Sequence, residues 1–351
     1  MKRAAVSVVS EEAPLRAELF STEQMEAHGR ALAAAHALIA APRVEDPLLD
    51  RLADNERTLV AASVALTSSA NERQGAITPA IEWLLDNFYL VEEQIRIARR
   101  HLSPDYGREL PHLAAGSAAG LPRVYALALD AIAHGDGHID LDILSRFISA
   151  YQSAAELTLG ELWAIPIMLR LALIENLRRI AAHIVTANEE RELATLWGER
   201  MTTQAEEDPK NLIVVIADMA RAQPPMSCSF VAELVRHLQH RGQVMNLPLS
   251  WLEQHLGESQ LSTREAIQLE NQLQAANQIS VSNSIGSLRL LGAIDWREFV
   301  EAMSTVEHCL RSDPAGVYPA MDFATRDHYR HAVETAARET GVAEIEVARA
   351  A

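Results

Sequence analysis

A chain of 351 residues, 48% of them hydrophobic, is long and apolar enough to bury about 75% of its unfolded surface, which excludes an intrinsically disordered chain. Its 48 acidic residues against 31 basic ones give a net charge of -17, a field that repels a phosphate backbone and excludes nucleic acid as an expected partner. Only Cys228 and Cys309 are present, far apart and outside any CxxC spacing, so neither a disulfide framework nor a cysteine zinc site is expected, and a reducing cytoplasm fits.

The start, Met1-Lys-Arg-Ala-Ala-Val-Ser-Val-Val-Ser10, is basic and then apolar, but Glu11 and Glu12 cut the apolar run short of the ~7 to 15 residues a signal peptide needs. Residues 1–20 are expected to fray as a tail. Ser21 to Ala41 is Ala-rich and reads as a helix ended by Pro42. Pro47 to about Asn71 repeats Leu48, Leu52, Leu59 and Leu66 at helical spacing. Thr78 as cap and Pro79 at the first helical position open an amphipathic helix whose apolar face is Ile81, Leu84, Leu85, Phe88, Ile95 and Leu102. Breakers at Ser103–Gly107 and Ala114–Pro122 predict a loop or a short extended piece, with helix resuming near Pro122. The turn His134-Gly-Asp-Gly-His138 ends that helix near Ala133, and Asp140 caps the next, which carries Ile143, Phe147 and Tyr151.

The greatest concentration of apolar side chains is Leu157 to Ile180. Thr158 and Glu161 form a capping box, and from Leu162 to Ile174 apolar side chains point in almost every direction round a 3.6-residue period. Such a helix needs protein or lipid on all sides. Glu161, Pro166, Arg170 and Glu175 interrupt the run before the ~20 residues of a membrane span, so it is expected to be the central helix of a soluble domain, kinked at Pro166. Asn188 to Gln204 predicts a separate, more polar helix, and Ala205–Pro209 is the best internal boundary. Beyond it, Phe230, Val231, Leu234, Val235 and Leu238 make one helical face with Gly242 after its end, and Ser262 with Glu265 is a second capping box opening a long helix toward Leu291. Asp313-Pro-Ala-Gly316 is a turn, and Asp322 caps a last helix. No alternating pattern argues for a sheet. The expected fold class is all-α, a multi-helix array or bundle without a transmembrane helix, divided into a tail (1–20), a first helical subdomain (21–204) and a second (205–351).

Chemistry-bearing patterns are few. His134 and His138 flank Asp136, but two glycines in the segment argue for an ordinary turn rather than the helical face on which paired ligands work. His237 with His240, and His328 with His331, have i,i+3 spacing and read as surface histidines. Asp140-Leu-Asp142 matches a DxD pattern, for which an N-cap is the better reading. The stripe Gln274, Asn277, Ser280, Ser284 and Ser287 is more suited to close helix packing than to sugar binding. There is no GxSxG, GxxxxGK[ST] or complete GxGxxG. No catalytic, cofactor-binding or metal-ligating residue is assigned.

Longer motifs carry more. Glu82-Trp-Leu-Leu-Asp-Asn-Phe-Tyr-Leu-Val-Glu-Glu-Gln-Ile95, Arg108-Glu-Leu-Pro111, Gly120-Leu-Pro-Arg-Val-Tyr125, Leu157 through Pro166 and Glu175-Asn-Leu-Arg178 occur in that order, as do Ser287 through Trp296, Asp313-Pro-Ala-Gly-Val-Tyr318 and Met321-Asp-Phe-Ala-Thr-Arg-Asp-His-Tyr-Arg-His331. From about residue 50 onward the chain resembles the N-terminal region of bacterial cyclic β-1,2-glucan synthases. The resemblance implies a large inner-membrane enzyme that moves glucose from UDP-glucose, with a divalent metal, onto a growing β-1,2-linked chain and then cyclises it. This chain would be a cytoplasmic, non-catalytic region at the inner face of that membrane, partnered by the transferase and membrane domains. The Arg-Trp pair that processive synthases carry near the acceptor has no counterpart, since none of the five Trp follows an Arg. The alternatives are a module binding glucan or nucleotide sugar, and a free-standing helical adaptor. A candidate docking surface lies on the last helix, where Asp322 as cap places Arg326 and Arg330 on one face with Tyr329 near it. Pairing of these arginines with the chain's surplus carboxylates is the favoured reading, because guanidinium groups find carboxylate partners readily.

Overall fold

The computed structural model describes residues 12–39, 47–72, 77–102, 106–239, 241–257 and 261–351; the first half of the expected tail and the helix stop at Pro42 lie outside them. The described residues form fifteen α-helices and one antiparallel ladder of two-residue strands, β1 (Leu38–Ile39) and β2 (His112–Leu113), so the fold is all-α. None of the described helices is long and apolar enough to cross a membrane.

Local caps decide where several helices start. Ser21 and Gln24 close a capping box at α1 (Thr22–Ala35). Asp140 accepts from the amides of Asp142 and Ile143 at α6 (Leu141–Gln152). At α7 (Leu159–Glu207) the Thr158 amide donates to Glu161 Oε2 (2.9 Å) and the Glu161 amide to Thr158 Oγ1 (3.3 Å). Ser262 and Glu265 do the same at α11 (Thr263–Leu291), and Asp322 accepts from the Thr325 amide at α14 (Phe323–Thr340). These donors would otherwise be unsatisfied in a first turn.

Elsewhere the elements differ from expectation. The predicted helix from Thr78 to Leu102 is two, α3 (Pro79–Asp86) and α4 (Phe88–His101), separated at Asn87, whose side chain donates to the Trp83 carbonyl (2.8 Å). Conversely, the two helices read over Leu157–Ile180 and Asn188–Gln204 are one helix of 49 residues. Pro166 sits inside it without ending it, and Asn188 is occupied by Ser69 (2.8 Å) and Glu192 (3.0 Å) rather than competing for backbone. All of Leu162 to Ile174 except Trp163 and Pro166 is buried in protein. Two further helices had no clear periodic signal, α8 (Leu212–Ala222) and α10 (Asn246–Gly257). The final helix is not α14, which Gly341 terminates in a left-handed conformation (φ 69°), but the short α15 (Glu344–Ala350).

The second half of the expected tail is held. The Leu15 amide donates to Asn176 Oδ1, and the amides of Ala17 and Phe20 donate to the carbonyls of Ala133 and His134. Those carbonyls end α5 (Arg123–His134) and have no intrahelical partner, so an extended strand of chain satisfies them.

The chain divides into two compact units, neither continuous in sequence. One comprises 1–14, 58–88 and 178–282, the other 15–57, 89–177 and 283–351, and α2 (Pro47–Glu72), α7 and α11 contribute residues to both. In the first unit, Trp197 and Met201 of α7, Ile216 and Met219 of α8, Phe230, Val231 and Leu234 of α9 (Cys228–Leu238) and Leu252 of α10 form a common core. Gly198 allows α9 its close approach, since a Cβ there would lie 2.8 Å from the His237 ring. In the second unit α1 lies against α6 at Gly29, where a Cβ would stand 2.8 Å from the Phe147 carbonyl oxygen. Helices α12 (Trp296–Met303), α13 (Thr305–Leu310), α14 and α15 follow, with Val306, Val333 and Ala348 buried together.

Candidate functional site

Within the second unit, several polar residues of the long motifs are buried and paired. Arg123, at the start of α5, places Nε and Nη2 each 2.6 Å from the two carboxylate oxygens of Glu161, and both side chains are buried. Glu161 therefore caps α7 and binds α5 to it. About four turns further along α7, Glu175 accepts from Arg51 (2.6 Å) and from the Tyr125 hydroxyl (2.6 Å), and burial together with the Glu175 charge pushes the Tyr125 phenol far up. Arg170 donates to Gln94 (2.8 Å).

A second network centres on Glu307, which is fully buried. It accepts from Arg330 Nη1 (2.6 Å), the Tyr318 hydroxyl (2.6 Å) and Arg311 Nε (2.7 Å). Burial alone would raise its carboxyl, but these hydrogen bonds outweigh burial and hold it below the ordinary glutamate range. Two of the candidate docking residues belong here, paired internally as the favoured reading has them. Arg330 is 0% exposed, with Glu301 (2.8 Å) and Asp327 (3.0 Å) as further acceptors, and Arg326 reaches Glu301 (2.8 Å) and the Met321 carbonyl (2.5 Å). They do not form an exposed surface, because carboxylates from α12 and α13 meet them from inside; only Tyr329 stays open, at 47% exposure.

The start of α7 also borders a cleft of about 570 Å³, the size of an ordinary small-molecule site. Trp163 lines it with Tyr106, Glu109, Glu334, Arg338 and Glu344. The indole nitrogen of Trp163 is buried with no hydrogen-bond partner among the described residues. Burial, reinforced by Glu109, pushes the Tyr106 phenol up to about 12. Burial also raises the Glu344 carboxyl, against the Leu159 amide that donates to it (2.9 Å) and with the charges of Glu334 and Glu161 on the same side as burial. An indole beside three carboxylates and a guanidinium offers both an apolar platform and acceptors for hydroxyl groups.

No family model matches this chain. Over 333 residues, 95% of its length, it is 30% identical to the cyclic beta-(1,2)-glucan synthase NdvB of Rhizobium meliloti (strain 1021). The chain is similar to part of a cyclic β-(1,2)-glucan synthase. It spans 12% of that protein's length.

The glucan-synthase likeness gives no role to the patterns of small polar residues and histidines, and geometry accounts for most of them. In the second unit Ser284 Oγ accepts from Asn176 (3.2 Å) and Ser287 Oγ from the Ile139 amide (2.9 Å), both deep in the core. In the first, Asn277 meets His183 (3.2 Å). His237 packs on Gly198, while His240 lies outside the described residues. His331 Nδ1 lies 2.9 Å from the Asp327 carbonyl. His134 is not grouped with His138 but with His28 and Asp130, the one set of potential metal ligands among the described residues. Sequence reasoning missed this group because His28 stands 102 residues from Asp130. It missed the cleft because Trp163 read as one more apolar residue of the central helix.

Proposed function

We propose that this chain is the non-catalytic, N-terminal helical region of a cyclic β-1,2-glucan synthase, and that it serves as a scaffold onto which the transferase domain of the longer enzyme docks at the cytoplasmic face of the inner membrane. One observation carries the reading. The charged residues Arg123, Glu161 and Glu175 of the long motifs are spent on pairs inside this chain, as structural residues are, rather than converging on a substrate. UDP-glucose and its divalent metal belong, in this reading, to the rest of the enzyme. The test is incubation of the purified chain with labelled UDP-glucose and magnesium or manganese. No label enters β-1,2-linked oligomer if the region is a scaffold; incorporation by the pure chain overturns the proposal.

The Trp163 cleft favours a second reading, a site for glucan. An indole side chain in a cleft lined by carboxylates is suited to a polyhydroxylated ligand. Titration of the chain with β-1,2-linked gluco-oligosaccharide changes tryptophan fluorescence if the cleft is used, and Trp163→Phe abolishes the change. No response, or an undiminished response in the variant, rejects it.

A further inference from the structure

We infer that His28, Asp130 and His134 form a binding site for one divalent transition-metal ion of the zinc class, tying α1 to α5. One ring nitrogen of each histidine and a carboxylate oxygen of Asp130 lie within 4.8 Å of one another. His28 Nε2 and Asp130 Oδ1 are 3.4 Å apart. Two ligands each about 2.0–2.2 Å from a tetrahedral ion stand about 3.3–3.6 Å apart, so this pair already has the required separation and the third ligand needs only a small side-chain rotation. Asp130 and His134 are four residues apart on α5 and share a face of that helix, the spacing by which one helix supplies two ligands.

The surroundings prepare the set. His134 Nδ1 is 2.7 Å from the Glu18 carbonyl oxygen, which can only accept. The neutral ring therefore carries its proton on Nδ1 and leaves the Nε2 lone pair for a cation, the arrangement typical of metal-bound imidazole. Phe20 stacks on the His134 ring at 3.8 Å between centroids and meets His28 edge-on at 5.4 Å, so the rings are fixed before any ion arrives. Two imidazoles and one carboxylate select a zinc-class ion over magnesium or calcium, which prefer oxygen ligands throughout. Three protein ligands leave the fourth tetrahedral position to water.

The test uses the full chain, free of any affinity tag and stripped with a chelator. Zinc is expected to bind at one ion per chain and to raise the melting temperature, and cobalt(II) is expected to give the visible ligand-field bands of a low-coordinate nitrogen and oxygen site. Asp130→Asn, which keeps the size and a hydrogen-bonding group, and His28→Gln are expected to weaken zinc at least about tenfold, the loss that even outer-shell changes bring. His331→Gln, at an exposed histidine outside the group, leaves affinity unchanged. The inference is overturned if the wild-type chain shows neither the melting shift nor the cobalt bands. It is equally overturned if Asp130→Asn, with helical circular dichroism like that of the wild type, binds zinc as tightly as the wild type. Should His28→Gln fail to fold, the wild-type titration and Asp130→Asn decide.

Discussion

Replacing Arg330 by Ala separates an inward from an outward role for this residue. The side chain is 0% exposed and supplies hydrogen bonds to Glu301, Glu307 and Asp327 at 2.6 to 3.0 Å, while its guanidinium lies 5.0 Å from the centre of the Phe323 ring. Removing one partner of a buried ion pair costs about 3–5 kcal/mol, because the charge left behind is uncompensated. Glu307 keeps Arg311 and Tyr318 in the variant, which argues for the lower end. Loss of the cation over Phe323 adds about 0.5–1 kcal/mol. A total of about 3–4 kcal/mol, at roughly 2–4 °C per kcal/mol for a domain of this size, corresponds to a fall of about 6–16 °C in Tm. Thermal unfolding followed by circular dichroism on the purified chain measures it, with Tyr329→Ala as the comparison. That half-exposed side chain should change stability by no more than about 0.5 kcal/mol. If Arg330→Ala melted with the wild type while lowering glucan output of the longer enzyme, the internal network would be energetically idle and the reasoning from burial would fail.

Other outcomes follow from the same geometry. Because the Glu307 carboxyl is held below its unfolded value, its contribution to stability is complete above the ordinary glutamate pKa of about 4.3 and is lost as pH falls through that value toward the lower folded one. Tyr318→Phe should make this acid limb of a denaturant-midpoint profile shallower; an unchanged limb would assign the acid sensitivity to other groups. Glu344 has the opposite sign: its carboxyl is raised in the fold, so stability declines as pH climbs through the ordinary glutamate range. Glu344→Gln keeps an acceptor for the Leu159 amide and should be at least as stable as the wild type at pH 7, and a lower Tm there would contradict the assignment. Gly198→Ala should destabilise by about 1–3 kcal/mol despite the better helix propensity of Ala, because the new methyl meets His237 Cγ and Cδ2 at 2.8 Å. A more stable variant would show that α7 and α9 can separate without cost.

What could be read from the sequence was local. Thr158 with Glu161, Ser262 with Glu265, Asp140 and Asp322 act over three residues or fewer, and the hydrogen bonds they make are those their spacing implies. Burial of the Leu162–Ile174 segment followed equally from side chains pointing all round one helix. That Arg330 pairs internally was open to sequence reasoning, but its partner was not, because the helix that carries it has no local reason to turn that face inward; the reason is Glu307, 23 residues earlier on another helix. The unbroken run of α7 was hidden for a related cause. Asn188 and Glu192 lower the apolar content where a helix end would fall, yet their polarity is absorbed by Ser69, 119 and 123 residues away. The split at Asn87 has the reverse character, since one side chain bonding back to the Trp83 carbonyl ends a helix whose apolar periodicity continues through it. The Trp163 cleft draws on segments as distant as Tyr106 and Glu344, and no pattern within a window could have assembled it.

The interleaving of the two units determines how this chain can be dissected. A truncation after residue 282 would remove the last third of one unit's sequence while leaving 15–57 and 89–177 behind, and those segments would lose the shell that α12 to α15 provide. A cut near Ala205, where composition suggests a boundary, would divide the other unit between its α7 and its α9 contributions. Deletion mapping would then score nearly every shortened version as inactive, and an interaction confined to a few surface residues would be credited to the whole length. Folding carries the same imprint: neither unit can close its core until its last sequence segment has been synthesised, so the nascent chain exposes apolar helix faces throughout translation.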